Sequence, residues 1–450
     1  MSYTVLYTFI VGCSIILTLT KPRYGFLFLI FLMPLSHQGV MMGLAGYEYP
    51  HLLPLFITVA TFTTAVIVYF QDIHLLITTI RSNLRIILPF VSFFGIAGIT
   101  NYSINGFSYS VVLLDLFVGP ISFFVLSCAF LQRYPFLIRP SLKIIIIIAI
   151  IGFFYGCFEY KTGSNPILQE YLNQVYLKMG VSPPPSSLNT PGVRVSSFFG
   201  HWLFASIIYL SSMVLTFMFI RKWQGFFLGL LFYLGVLMTQ SRVGILLGLV
   251  IFAYYILIVL PKSNLQDGKA FKMIRYAIVG IPLILMFVIP LLKSPLYESI
   301  TNRFVSASVE ERIMGLRAFE MATLVGHGAD ASNRISKRLG SESGLENPWA
   351  YLAYDYGIIA LIFYCTALAF VFLPDRRLAY KAYMTFDVKH LKVFFFIIII
   401  AGSSFSSFGN RGNINYVIWF FASLVRTYGV IEQQYLKKNL LTKKASIYTK

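Results

Sequence analysis

Residues 341–360 read SESGLENPWAYLAYDYGIIA, and they decide how the rest of the chain is interpreted. A polar loop ends at Glu346 and Asn347, and Pro348 then opens a largely apolar run that continues to about Phe372. Proline is favoured at the first position of a helix because its missing N–H would have no partner there. The stretch predicts a carboxylate at the boundary between a polar loop and a membrane helix, where it can act on a substrate that arrives in the membrane.

The composition outside this stretch favours the same setting. The chain has 450 residues and is 57% hydrophobic and only 12% charged, which is typical of a membrane protein. Only helices or closed barrels pair all backbone polar groups in lipid, and the apolar runs are too continuous for a barrel. We therefore predict an all-α polytopic membrane protein with about 12–13 transmembrane helices. The first run has no basic leader and no cleavage site, so we expect it to be a true span.

The predicted spans follow the apolar runs of membrane length. They cover residues 3–20, 24–45, 51–70, 85–100, 109–132, 142–158, 198–220, 224–240, 243–260, 274–292, 347–373, 391–408 and 413–431.

The net charge of +19 comes largely from Lys and Arg in short connections between the runs, so we do not expect a nucleic-acid partner. These residues occupy alternate connections, which the positive-inside rule assigns to the cytoplasm. The N-terminus is then outside and the C-terminus inside. The connections carry Lys21 and Arg23, Arg81 and Arg85, Arg133 with Arg139 and Lys143, Arg221 and Lys222, Lys262 to Arg275, and Arg376 to Lys381.

Two connections on the predicted outer side are unusually long, and long loops in membrane proteins are often functional. The predicted organisation is N-terminal membrane helices (1–158), a first periplasmic loop (159–197), central membrane helices (198–292), a large periplasmic loop (293–346), and C-terminal membrane helices with a cytoplasmic tail (347–450). The halves show no internal repeat of the kind that marks inverted-repeat transporters.

Several arginines lie on the outer side, against the positive-inside rule. Arginine stays charged and binds phosphate oxygens bidentately, so this group predicts an anion site that a lipid-linked phosphate can reach. Single outer arginines also occur as interface residues, and Glu346 also fits a helix cap, so both interpretations are open. Arg242 is the sharpest case because it lies in a tight turn between two spans. The outer candidates are Arg194, Arg242, Arg303, Arg312, Arg317, His327, Glu346 and Asn347.

The four cysteines and six histidines do not have the spacing of metal ligands. We therefore expect neither a protein-bound metal nor another cofactor.

Four pieces of the chain resemble the O-antigen ligase and polymerase family of bacterial surface-polysaccharide assembly. They are RVSSFFGHWLFAS, TQSRVGILLG, ERIMGLRAFEMA followed by GHG, and ENPWAYLAYDYGIIALIFY, in the family's order between Arg194 and Phe372. The family's ligases have His-Asn, nine residues and then Gly at the last motif. Here Glu346-Asn347 precedes nine residues and Gly357, so an acid replaces the histidine. This departure resembles the polymerase branch.

The resemblance implies a GT-C-like, metal-independent, inverting glycosyltransferase in the bacterial inner membrane, with its active site facing the periplasm. The donor would be a glycan on undecaprenyl pyrophosphate, and the acceptor another lipid-linked repeat unit. Glu346 would be the catalytic base, while Arg242 together with Arg194 and Arg312 would stabilise the pyrophosphate. The glycan and pyrophosphate would also contact Arg303, Arg317, Asn347 and His327.

Membrane lipid, a chain-length regulator and a flippase are the partners that the resemblance implies. A ligase that uses another acceptor is the first alternative function. A lipid-linked oligosaccharide flippase or transporter is the second.

Overall fold

The computed structural model describes much of the chain as α-helix. The described residues are 3–35, 55–106, 113, 117–169, 194–220, 222–256, 319–329, 331–332, 335, 348–373, 386–403 and 414–428. Within these ranges the structure is all-helical and contains no strand, so the predicted all-α class is confirmed for this part of the chain.

The helices are numbered here in chain order. They are α1 (Tyr3–Thr20), α2 (Pro22–Leu32), α3 (Leu55–Gln71), α4 (Ile73–Ser82), α5 (Leu84–Asn105), α6 (Gly119–Arg133), α7 (Ile138–Thr162), α8 (Trp202–Phe219), α9 (Lys222–Thr239), α10 (Arg242–Tyr254), α11 (Pro348–Tyr356), α12 (Ile358–Phe372), α13 (Phe386–Ser403) and α14 (414–428).

Three helical stretches in the described ranges are long and apolar enough to cross a membrane, namely Leu84–Asn105, Pro135–Thr162 and Trp202–Phe219. A fourth span results if α3 and α4, which meet at an angle of 112°, are counted together. The predicted span at 274–292 lies outside the described residues.

The predicted single span 347–373 is two helices in the structure, α11 and α12, which are separated by Gly357. The start of the helix at Pro348 is confirmed. Gly357 has a φ of 95°, which a residue with a Cβ rarely adopts, and this conformation ends α11.

The chain divides into two compact units. The first unit holds residues 145–310 with 1–3 and 37–50, and the second unit holds the remainder. In the first unit, α8 is almost entirely buried, and glycines on its neighbours allow close packing. A Cβ on Gly235 of α9 would lie 3.0 Å from Tyr209 of α8, and one on Gly248 of α10 would lie 2.8 Å from Tyr233 of α9.

An aromatic cluster forms the core of the second unit. Phe93 of α5 packs edge-on against Phe117 at 4.6 Å, and Phe117 packs against Tyr356 of α11 at 5.6 Å. Tyr364 of α12 and Trp419 of α14 complete the cluster, and all of these rings are buried. Large buried aromatic rings contribute strongly to packing energy, so this cluster holds α5, α11, α12 and α14 together.

Three basic side chains make contacts at helix ends of the second unit; Arg23 belongs to a connection that was assigned to the cytoplasm, whereas Lys392 and Arg426 lie within predicted spans. The Arg23 guanidinium lies over the Tyr134 ring, which joins the start of α2 to the end of α6. Arg426 near the end of α14 donates to Asn83 between α4 and α5. At this end Lys392 also donates to the carbonyl of Phe372, the last residue of α12.

At the opposite end of the second unit, a contact between two uncharged side chains joins the helices. There the hydroxyls of Thr58 and Tyr416 are 2.7 Å apart, next to Gly119, so the starts of α3, α6 and α14 meet. Helices α3, α6 and α14 therefore all start at this end of the unit.

Candidate functional site

The structure describes three of the predicted site residues. Arg194 and Arg242 belong to the first unit, and His327 belongs to the second unit. The other predicted site residues, Arg303, Arg312, Arg317, Glu346 and Asn347, lie outside the described residues.

Glu159 in the last turn of α7 anchors the segment that carries Arg194. Its side chain is only 9% exposed. One carboxylate oxygen accepts from the backbone N–H of Ser196 at 3.1 Å, and the other accepts from that of Ser197 at 2.6 Å. A carboxylate near a helix C-terminus is electrostatically disfavoured by the helix dipole, so these two bonds offset a real cost.

Ser197 is held from two further directions. Its hydroxyl donates to the carbonyl of Gly152 at 2.7 Å, and its carbonyl accepts from the Asn165 side chain at 2.8 Å. The residue has a φ of 53°, which is uncommon for a side chain larger than glycine. The bonds around it maintain this conformation, and they fix the chain on its way into α8.

The same segment is bonded to α9 on its other side. The backbone N–H of Val195 donates to the carbonyl of Met238, in the last turn of α9, at 3.1 Å. A Cβ on Gly156 of α7 would lie 3.0 Å from the Val195 side chain, so α7 approaches the segment closely. The backbone next to Arg194 is therefore held between α7 and α9.

The Arg194 side chain stacks on an aromatic ring. Its guanidinium carbon lies 3.9 Å from the centroid of the Trp202 ring, and Trp202 in turn stacks on His201 at 5.3 Å. The Nδ1 of His201 accepts from the backbone N–H of Leu203 and caps α8. Stacking engages the face of a guanidinium, whereas its N–H donors point outward in the plane, so the stacked geometry is compatible with phosphate binding.

Arg242 occupies the first position of α10, after a connection of only Gln240 and Ser241. The Ser241 hydroxyl caps α10 by accepting from the N–H of Gly244 at 3.1 Å. Gln240 is buried and has a φ of 52°, so the turn is tight and sterically demanding. A cation at a helix N-terminus is repelled by the helix dipole, so nothing in the helix itself favours arginine there.

Arg194 and Arg242 lie at the same end of the first unit. The Val195–Met238 hydrogen bond brings the Arg194 segment to the end of α9, two residues before the turn that leads to Arg242. A Cβ on Gly244 would clash with Ser206, so the first turns of α8 and α10 touch. Two arginines and two helix N-termini thus lie at one end of the unit, near the buried Glu159 carboxylate, and arginines at helix N-termini are groups that bind phosphate or pyrophosphate.

In the second unit, residues 323–328 fill the break between α11 and α12. The N–H groups of His327 and Gly328 donate to the carbonyl of Asp355 at 3.1 and 2.9 Å, which pairs the end of α11. The N–H groups of Ile358 and Ile359 donate to the carbonyls of Thr323 and Leu324 at 3.0 and 3.3 Å, which pairs the start of α12. The segment thus replaces the helical bonds that are lost at Gly357.

Asp355 also binds the segment through its side chain. The side chain is fully buried, and its Oδ1 accepts from the N–H of Ser332 at 2.7 Å. On the other side, Thr100 of α5 donates to the carbonyl of Val325 at 2.7 Å, and Asn105 donates to that of Ala329 at 3.2 Å. These contacts hold residues 323–329 and 332 between α5 and α11, and α11 follows Glu346 and Asn347 directly in sequence.

His327 is part of this fixed segment. Its ring stacks on Tyr354 with centroids 4.4 Å apart, and its Nε2 lies 3.3 Å from the carbonyl of Met321. A carbonyl oxygen only accepts, so the Nε2 nitrogen carries the proton in this contact. The structure therefore gives His327 a role in holding the loop, and the predicted contact with glycan or pyrophosphate stays a prediction.

Comparison of the chain with protein-family models, with curated proteins and with the solved structures gives no match.

Sequence reasoning missed Glu159 and Asp355. Both are acids at or within long apolar runs, and an acid in such a run is by itself a signal of function. Glu159 was assigned to the start of a loop, and Asp355 was counted as part of an apolar helix.

We predict that Glu159→Ala lowers the stability of the protein by roughly 2–4 kcal/mol, because two backbone N–H groups lose their acceptors. Glu159→Gln keeps one carbonyl acceptor and costs about half as much. The melting temperature of the purified protein measures both effects. The exposed Lys161→Ala serves as the control, and a drop in that variant equal to that of Glu159→Ala would contradict the anchoring role.

We also predict that Gly326→Ala and Gly106→Ala differ sharply, although both glycines have positive φ. A Cβ on Gly326 would lie 2.5 Å from the carbonyl oxygen of Asp355, whereas one on Gly106 would contact nothing within 4 Å. Gly106 has a φ of 60° and a ψ of −138°, so Gly106→Ala should cost roughly 1–3 kcal/mol from its backbone alone. Gly326→Ala should cost about 1–3 kcal/mol more than Gly106→Ala, because it also overpacks the break. Equal melting temperatures for the two variants would show that the segment does not fill the break.

Proposed function

We propose that this protein is a membrane-embedded glycosyltransferase that joins lipid-linked oligosaccharide repeat units into an O-antigen-like surface polysaccharide. The observation that supports the proposal is the location of Arg194, Arg242 and two helix N-termini at the same end of the first unit. These groups fit the pyrophosphate of an undecaprenyl-linked glycan better than they fit a neutral ligand.

The proposed setting is a polytopic bundle of about 12–13 spans in the bacterial inner membrane, with a GT-C-like fold and its active site on the periplasmic side. The contacts of Arg23, Lys392 and Arg426 at helix ends of the second unit support this setting. Basic residues near the ends of spans are what the positive-inside rule describes for a multi-pass chain.

In the proposed mechanism, Glu346 accepts the proton of the acceptor hydroxyl as that oxygen attacks the anomeric carbon of the donor sugar. The new C–O bond forms as the bond to the pyrophosphate oxygen breaks, and the electron pair leaves with undecaprenyl pyrophosphate. Attack from the face opposite the leaving group inverts the anomeric centre. A general base contributes about 10²–10⁴-fold to such a step.

The arginines supply the second part of the mechanism. Arg194 and Arg242, with Arg312, stabilise the negative charge that develops on the leaving pyrophosphate, so no metal ion is required for this task. Arg303, Arg317, Asn347 and His327 are proposed to hold the glycan or the pyrophosphate. The hydrogen-bonded segment 323–328 contacts the helix that follows Glu346 in sequence.

The interruption of α11 and α12 at Gly357 bears on the transporter alternative, since transporters bind substrates and ions at broken helices. At this break, however, the Tyr354 and Asp355 carbonyls accept from His327 and Gly328, so the segment 323–328 occupies the place of a ligand. A break that is filled by the chain itself favours a structural role over a transport site. A ligase with another acceptor would share this arrangement.

We predict that Arg242→Ala lowers polymerisation of purified lipid-linked repeat units by about 10²–10³-fold, because the leaving group loses a charged partner. Glu346→Gln should lower it by about 10²–10⁴-fold, because the glutamine side chain cannot accept the proton. The length distribution of the products on a gel measures both effects.

Two matched variants serve as controls for this prediction. Arg139→Ala removes an exposed arginine from a connection that is predicted to be cytoplasmic, and Glu342→Gln changes an acid four residues before Glu346 in the same predicted loop. Both should keep normal polymer length. Normal product from Arg242→Ala would contradict the pyrophosphate site, and equal losses in Glu342→Gln and Glu346→Gln would contradict the assignment of the base.

A further inference from the structure

Helix α4 has three distinct faces. Leu76 and Thr79 are buried against the protein, whereas Ile73, Ile77 and Ile80 are 44%, 37% and 39% exposed. These isoleucines are spaced by four and three residues, so they form one apolar stripe along the helix. A third face carries the exposed side chains of His74, Thr78 and Arg81.

The direction of α4 separates it from the spans beside it. It turns by 112° from α3, and the Asp72 carboxylate caps its start by accepting from the N–H of Leu75 at 3.0 Å. A short helix at a steep angle to a span, with an exposed apolar stripe and a cationic face, has the character of a helix that lies in the plane of a membrane surface.

The end of α4 is surrounded by cations. Arg81 lies in its last turn and Arg85 in the first turn of α5, and both are exposed. The Arg426 guanidinium donates to the Asn83 side chain at 3.1 Å between them. Lys392 lies close enough to Arg426 for the two charges to repel each other.

The start of α5 lies at the same corner as the end of α4. The Asn83 side chain between them does not cap α5, because its oxygen accepts from Arg426. The positive end of the α5 dipole and the negative end of the α4 dipole both face this corner, so its positive charge comes from the arginines. Asp72 is the nearest acid along α4, about 13 Å away from Arg81 at the rise of an α-helix.

From these observations we propose that α4 is an interfacial helix and that Arg81 and Arg85 bind the phosphate of an anionic phospholipid. The isoleucine stripe enters the acyl-chain region, while the arginines and the start of α5 meet the headgroup. Arginine suits this task because its planar donors contact two phosphate oxygens at once. The inference rests on the proposed membrane setting and is independent of the proposed glycosyl transfer.

The test uses the full-length protein in a non-ionic detergent and native mass spectrometry to count bound lipid. Phosphatidylglycerol is titrated into the wild-type protein, into Arg81→Gln/Arg85→Gln, and into Arg139→Gln/Lys143→Gln, which removes the same charge from α7. Phosphatidylcholine with the same acyl chains and inorganic phosphate are titrated in parallel. A melting curve of each variant confirms that it is folded.

We expect phosphatidylglycerol to bind the wild type in preference to phosphatidylcholine. The Arg81→Gln/Arg85→Gln variant should bind it about 30-fold more weakly, at roughly fivefold for each arginine. The α7 double variant should bind as the wild type does, and Arg81→Lys/Arg85→Lys should recover most of the affinity.

Three results would overturn the proposal. Equal losses of phosphatidylglycerol affinity in the two glutamine variants would show that only net charge matters. Unchanged affinity in both variants would show that Arg81 and Arg85 do not form a lipid site. Displacement of the lipid by inorganic phosphate at equal concentration would indicate a site for free anions. Each of these results leaves the proposed polymerase activity untouched, because the measurement involves no catalysis.

Discussion

The hydrogen bonds between residues 323–328 and the break at Gly357 are the interaction on which the second unit depends. A helix that stops inside an apolar bundle leaves carbonyl and N–H groups that must find partners. The segment supplies partners to both helices at once and is itself tied to α5 through Thr100 and Asn105. The position of α11 relative to α5 and α12 follows from this set of bonds.

In the first unit, positively charged side chains lie near helix N-termini, where the helix dipole disfavours them. Arg242 stands at a helix start, and Arg194 directly precedes a segment that the buried Glu159 carboxylate holds in an uncommon conformation. Both arrangements cost free energy in the isolated protein. An anionic substrate that binds at this end would offset part of that cost, which is the physical basis of the proposed pyrophosphate site.

Much of the fold could be predicted from the sequence, because apolar periodicity and proline and basic-residue positions act locally. The all-α class of the described residues and the helix start at Pro348 are confirmed. The tight turn between α9 and α10 is also present, but Arg242, which was predicted to lie in the turn, is the first residue of α10. The break at Gly357 was missed because its partners are about 30 residues away in sequence, and an apolar run does not reveal them. The role of Glu159 was missed for the same reason: its acceptor atoms meet Ser196 and Ser197 only after the intervening residues fold back. The anchoring of the predicted base, Glu346, stays a prediction, as do the roles of Arg303, Arg312, Arg317 and Asn347.

The measurement that tests the central claim most directly is a glycan ladder from a host in which the gene is deleted. The proposed polymerase activity predicts that the ladder of surface polysaccharide collapses to a single repeat unit and that the wild-type gene restores it. Long polymer that stays attached to the prenyl carrier would contradict polymerisation and indicate a ligase. Single repeat units trapped on the cytoplasmic side would contradict both and indicate a flippase.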